Sequence, residues 1–216
     1  MNRFGVDEIR PAVVTIDLHR GHLDPEVATL PLPADVAARV VEANVRFLDA
    51  ARALDIPVVH VVTGYRDADE IGANPYWRAL ADTGVTRSNI LRHNLPGLPG
   101  QELMPGICDP ERDRVVNGKK RYDCFLGTDL AITLHAMKVN TLLITGVNTN
   151  SCVLATTITA QTRDFACIVV SDCVDTCDGP DFHESALTMI ERAFGWVMSA
   201  DKALEAVGSG HRHSLV

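Results

Sequence analysis

Gly146-Val147-Asn148-Thr149-Asn150-Ser151-Cys152-Val153-Leu154-Ala155-Thr156-Thr157 is the stretch whose reading decides the fold. It follows the apolar run Thr141-Leu142-Leu143-Ile144-Thr145 and leads into residues 153–163, whose composition permits a helix. A short β-branched and aliphatic run ended by glycine reads as a buried strand, so the whole reads as strand, tight turn, helix. Cys152 falls where the helix begins, among N–H groups without intrahelical partners and at the positive end of the dipole. A thiol there, beside a cation, is expected to titrate at roughly 3.5–7.5 rather than near ~8.5 and to be a ready nucleophile. The competing reading is a buried, inert cysteine, one of six in the chain.

Working outward, strands and helices alternate. Residues 11–18 and 58–62 are nearly continuous apolar strands of the kind covered on both faces. Between them, Ala37, Val40, Val41, Asn44, Phe47, Leu48 and Ala51 recur at helical spacing over 34–54. A shorter strand is expected at 114–117, a helix at 127–138, a fifth strand at 167–170 followed by a turn over 172–176, a helix at 181–194, a last strand at 196–198 and a closing helix at 201–207. This order predicts an α/β fold of three layers, α/β/α, around a central, mostly parallel sheet of about six strands. One domain over 1–207 and a polar, mobile tail over 208–216 are expected. Residues 64–113 lack periodicity, and irregular segments of that length tend to be functional or to form interfaces.

Twenty Lys and Arg against 28 Asp and Glu give a formal net charge of −8, which opposes binding to a phosphate backbone. Residues 1–10 carry both signs of charge and no apolar core, and no apolar run approaches the ~20 residues of a membrane span. The expectation is a cytoplasmic protein with reduced thiols, no nucleic-acid partner and no membrane.

In an open parallel sheet, ligands sit at the carboxyl ends of strands. Asp17 is next to last in the first strand, Lys119 comes just after the third, and Cys152 opens the helix after the fourth. Singly, Asp17 can cap a turn, and Lys119-Lys120-Arg121 can be a solvated basic patch. As a set they suit acyl transfer: a carboxylate takes a thiol proton, an ammonium holds the two charges together, and helix-start N–H groups receive an oxyanion.

Three segments, VVTIDLHRG (13–21), GKKRYDCFLGTDL (118–130) and LLITGVNTNSCVLATTITAQ (142–161), together with GLPGQEL (97–103), resemble the isochorismatase-like cysteine hydrolases. That superfamily includes nicotinamidase, N-carbamoylsarcosine amidase, ureidoacrylate amidohydrolase and biuret hydrolase. The resemblance implies an Asp17, Lys119, Cys152 triad, with Lys119 identified by counting back from Phe125 in the pattern Lys-x-x-x-x-x-Phe-x-x-Thr. It also implies a cis peptide between Val147 and Asn148, an oxyanion hole from the N–H groups of Asn148 and Cys152, and a homodimer or homotetramer. His19 stands where many members have Gln. Nicotinamidases bind a metal through Asp-x-His and a further His after the second strand, and residues 61–66 offer no such pair. Asp17, His19, His22 and Asp24 crowd one loop and Cys173, Cys177, Asp178 and His183 another, zinc ligands by type, yet no metal or cofactor is expected.

The activity implied is hydrolysis of a small carboxamide, ureido or N-carbamoyl compound through a thioester. Residues expected at the substrate are His19, Tyr65, Trp77, Tyr122, Phe125, Asn148 and Thr149. The alternatives are a nicotinamidase-type hydrolase or a non-catalytic relative that binds a small metabolite or a protein. Isochorismatase proper cleaves a vinyl ether and lacks this cysteine, so Cys152 disfavours it.

Overall fold

The computed structural model describes residues 2–211. Six strands, β1 (Pro11–Ile16), β2 (Val58–Thr63), β3 (Arg114–Lys119), β4 (Thr141–Val147), β5 (Ala166–Asp175) and β6 (Trp196–Met198), form one sheet in the order β3-β2-β1-β4-β5-β6. Every pairing in it is parallel. The helices are α1 (Arg20–Leu23), α2 (Ala34–Ala53), α3 (Ala68–Gly72), α4 (Pro75–Leu80), α5 (Leu130–Ala136), α6 (Leu154–Gln161), α7 (Pro180–Ala193) and α8 (Ala200–His211).

The period-2 alternation of strand side chains divides the core in two. Val13, Leu143 and Ile168 face α2 and α8 with Val40, Phe47 and Ala203. Val14, Leu142 and Val169 face α5, α6 and α7 with Leu134, Ala160 and Ile190. The sheet is therefore covered on both sides, which is why β1, β2 and β4 are buried at every position. No helix among the described residues is long and apolar enough to cross a membrane.

Several boundaries differ from the sequence reading. β3 runs to Lys119, so that residue ends the strand rather than following it. β1 stops at Ile16, and Asp17 follows in a left-handed conformation (φ 54°) that few side chains adopt. The turn expected over 172–176 is not there: β5 continues to Asp175. Its pairing with β4 steps from Ile144–Val169 to Gly146–Val174, so β5 takes up three extra residues there, with Ser171 and Asp172 turned toward the surface while Cys173 and Val174 return to the two cores. α5 is shorter than the 127–138 span expected. α8 extends to His211, so part of the expected tail is helical, and the rest of that tail lies outside the described residues.

Residues 64–113 form two short helices and two single turns. Asp67 caps α3 by accepting from Glu70 N, and Asn74 caps α4 through Tyr76 N and Trp77 N. Tyr65, Ile71, Trp77, Ile90 and Leu30 make a third, small core over the carboxyl ends of the strands.

Gly146 is the tightest point of the sheet. Its φ is +105°, and a Cβ there would stand 2.0 Å from Ile16 O, a backbone atom that cannot move without breaking β1. Gly146→Ala should lower stability by about 4 kcal/mol or more. Gly72→Ala, where the added carbon meets nothing closer than 3.6 Å, should be close to neutral. Urea denaturation of both variants checks this, and a wild-type midpoint for Gly146→Ala would contradict it.

Candidate functional site

β1 and β4 are neighbours whose onward connections leave toward opposite sides of the sheet, and such a reversal opens a crevice at the carboxyl ends. Asp17 just after β1, Thr63 and Lys119 at the ends of β2 and β3, and Cys152 in the turn after β4 meet there, and all four line one cavity. Lys119 Nζ lies 2.5 Å from Asp17 Oδ2, 2.7 Å from Thr63 Oγ1 and 3.3 Å from Cys152 Sγ. Thr63 N donates to Asp17 Oδ1 at 2.8 Å. Lys119 and Asp17 are 2% and 0% exposed, so the ion pair is held almost without solvent.

Burial alone would raise the Asp17 pKa, but the Lys119 ammonium, with His19 close by, holds it well below the usual carboxylate range. Burial would lower Lys119, and the Asp17 carboxylate keeps it well above its ordinary value. The pair is thus charged. Cys152 corrects the sequence expectation. Burial pushes its thiol up, the pull of Lys119 is smaller, and the Asp17 carboxylate opposes ionisation as well. The resting sulfur is protonated and depends on a base to become a nucleophile.

Cys152 sits in a π-helical turn, Thr149–Val153, ahead of α6. The peptide before it, Val147–Asn148, is cis. Asn148 O accepts from Ser151 N and Val153 N, and its side chain accepts from Cys177 N, which ties the turn to the segment after β5.

Of the residues expected at the substrate, Tyr65, Trp77, Tyr122 and Asn148 line the cavity. Trp77 Nε1 donates to Tyr122 Oη at 3.0 Å, and Tyr65 Oη donates to Lys120 O at 3.2 Å. Phe125, Thr149 and His19 do not line it. Phe125 belongs to the core and stacks on Phe165. Thr149 points away to His183 Nδ1, 2.9 Å from its hydroxyl. His19 lies behind the cavity, its Nε2 3.5 Å from Asp17 Oδ1 and its ring stacked on His22.

Sequence reasoning did not single out Arg87, Arg121, His93 or Ser151, which also line the cavity. His93 comes from the irregular segment, where no periodicity marks it. Arg121 belongs to the run Lys119-Lys120-Arg121, whose composition suits a solvated patch equally well, and only the burial of Lys119 in the structure shows that the run turns inward. The two loops of metal-type ligands regroup. His19 and His22 join His93, whereas Asp24 pairs with Arg20 and Cys173 is core. Burial and the neighbouring histidine lower the His22 pKa to about 3 and drive His93 down as well, so both rings are neutral.

Removing one partner of a buried ion pair strands the other. Lys119→Met should cost about 3–5 kcal/mol. The double variant Asp17→Asn, Lys119→Met, which leaves no charge behind, should be more stable than Lys119→Met alone. A denaturation cycle over the four proteins measures this, and a double variant less stable than the single one would contradict it.

An isochorismatase domain model matches residues 11–202. The chain is 33% identical over 199 residues to a ureidoacrylate amidohydrolase of Methylobacterium radiotolerans, covering 87% of this chain and 73% of that protein. It is 30% identical to a maleamate amidohydrolase of Pseudomonas putida, covering 91% and 86%. Among solved structures, a cysteine hydrolase from Pseudomonas syringae pv. phaseolicola superposes with a TM-score of 0.79 at 25% identity, covering 97% and 98%. N-carbamoylsarcosine amidase from Thermoplasma acidophilum gives 0.70 at 25% identity, covering 89% and 98%. A domain match over almost all the described residues, on a sheet of the same architecture, places this chain in the isochorismatase family.

Proposed function

We propose that this protein is a cysteine-dependent amidohydrolase that cleaves a linear C–N bond in a small carboxamide, ureido or N-carbamoyl compound. The observation that carries the reading is the Cys152 sulfur beside a buried, charged Asp17–Lys119 pair in a cavity. In the reaction, Asp17 takes the Cys152 proton as the sulfur bonds to the substrate carbonyl carbon. The oxygen becomes an oxyanion held by the N–H groups of Asn148 and Cys152. The intermediate collapses, the C–N bond breaks, and ammonia or an amine leaves with the proton from Asp17. Asp17 then removes a proton from water, which attacks the thioester, and the thiolate regains that proton as the acid departs. Lys119 stays protonated throughout and keeps Asp17 in place.

The cavity also favours an anionic substrate. Lys119, Arg87 and Arg121 line it, with Asp17 the one carboxylate among the lining residues. Arg87 is paired with Asp178 at 2.6 Å. Arg121 stands over the Trp77 ring at 4.9 Å and donates to the carbonyls of Lys120 and Glu70, with no carboxylate within ion-pair distance among the described residues. Its charge is available to a substrate carboxylate, such as those of ureidoacrylate and maleamate, on which the relatives act by name.

Ammonia release across maleamate, ureidoacrylate, N-carbamoyl amino acids and simple carboxamides tests the reaction. Cys152→Ala should reduce turnover of whichever compound reacts by about a thousand-fold or more with the fold intact. Retained turnover in that variant would refute the mechanism. Arg121→Met should raise KM for an anionic amide about tenfold or more and leave a neutral amide of similar size little changed. Equal effects on both would remove Arg121 from substrate recognition.

A further inference from the structure

His19, His22 and His93 are 0%, 5% and 2% exposed and come together beside Asp17. Their ring centroids are 4.9, 5.5 and 4.7 Å apart, and one ligand nitrogen of each lies within 4.8 Å of the others. Three imidazoles bound to one tetrahedral ion at ~2.0–2.1 Å place their centroids ~5 Å apart, so these rings have the spacing of such a site, and the His19 and His22 planes, 17° from parallel, must tilt for their nitrogens to converge on the ion. Two of them are already oriented. His22 Nδ1 donates to Leu30 O at 2.8 Å, and His93 Nδ1 is 2.8 Å from Thr29 Oγ1, which leaves Nε2 of each to serve as a ligand. Both residues line the cavity.

His19 supplies an independent sign. Its Nδ1 is buried without a hydrogen-bond partner. Asn94 Nδ2, which also donates to Thr63 O, lies 3.0 Å from His19 Nε2. If the amide donates there, the ring proton sits on Nδ1 with nothing to receive it. A metal on Nδ1 pairs that nitrogen and displaces its proton to Nε2, 3.5 Å from Asp17 Oδ1 and 3.0 Å from Asn94 Nδ2, so metal binding requires the Asn94 amide to turn away from the ring. A carboxylate behind a ligating histidine is the usual support of such a ligand.

We infer that His19, His22 and His93 bind one divalent transition-metal ion, of the zinc or cobalt type that neutral imidazoles favour over magnesium or calcium. Three protein ligands leave a fourth position, which opens to the cavity lined by His22 and His93 and can hold water or a substrate oxygen. That last consequence rests on the amidohydrolase reading. Metal binding itself does not, and it is measured without turnover.

Protein stripped with a chelator and titrated with Zn²⁺ or Co²⁺ alone should take up one equivalent. Co²⁺ should give the intense visible bands of a tetrahedral nitrogen site. His22→Gln and His93→Gln, with unchanged circular dichroism, should weaken uptake by about a hundred-fold or more, beyond the loss typical of a supporting residue. Cys152→Ala, which removes the nearby sulfur, should keep the equivalent, as should a variant replacing His211 and His213. Uptake that survives both histidine-cluster variants, or disappears with Cys152, His211 or His213 instead, would overturn the site. So would the absence of stoichiometric uptake in the wild type.

Discussion

The structure is organised around a buried ion pair between Asp17 and Lys119. An ammonium and a carboxylate removed from water each lose several kcal/mol of solvation, and direct attraction repays this only where the geometry is tight and remaining polar atoms are satisfied. Both conditions hold: Thr63 serves each partner, its N–H donating to Asp17 Oδ1 and its hydroxyl oxygen accepting from Lys119 Nζ. The arrangement needs the ends of β1, β2 and β3 at one level. The register shift between Val62 and Thr63 provides it by setting Thr63 against Lys119 rather than Gly118. The left-handed backbone at Asp17 turns the same carboxylate into the cleft. Strain of this kind persists where the surroundings over-determine it.

The pair also explains why a protonated sulfur is consistent with nucleophilic chemistry. A thiolate at Cys152 would bring a second negative charge beside Asp17 in a dry cavity, and burial opposes it. With the proton passing to Asp17 as attack begins, the site keeps one negative charge near Lys119 at every stage of the proposed reaction. Preorganised charges of this sort need no rearrangement as the reaction proceeds.

The sheet was legible wherever burial leaves a periodic or continuous apolar trace. Residues 11–16, 58–62 and 141–145 could hardly be read otherwise, and the apolar face of α2 follows its 3.6-residue period from Ala37 to Ala51. Asp17, Lys119 and Cys152 stood out because strand ends concentrate chemistry. What escaped depends on contacts distant in sequence. The continuation of β5 past Asp172 is visible only once Gly146 and Val174 are paired. Phe125 and Thr149 were expected near the substrate, yet one turns to Phe165 and the other to His183, and neither choice leaves a local signal. His93 lies 71 to 74 positions from its partners His22 and His19, in a segment without period.

That segment divides the labour of the site. The sheet holds Asp17, Lys119 and Cys152, whereas Arg87, His93 and Trp77 come from residues 64–113, which rest on a core of only a few side chains. Small cores are marginal by themselves, so the segment borrows rigidity from the strand it covers. Trp77 bonds to Tyr122, Tyr65 bonds to the carbonyl of Lys120, and Arg121 lies over the Trp77 ring. All three contacts fall on 120–122, immediately after Lys119. The cavity wall is thereby referenced to the ammonium that holds Asp17. A change in the wall large enough to admit a different acyl group would displace these contacts and reach the ion pair itself. Substrate range in this chain is therefore coupled to the chemistry through residues 120–122, and repacking around Tyr122 bears on rate as well as on affinity.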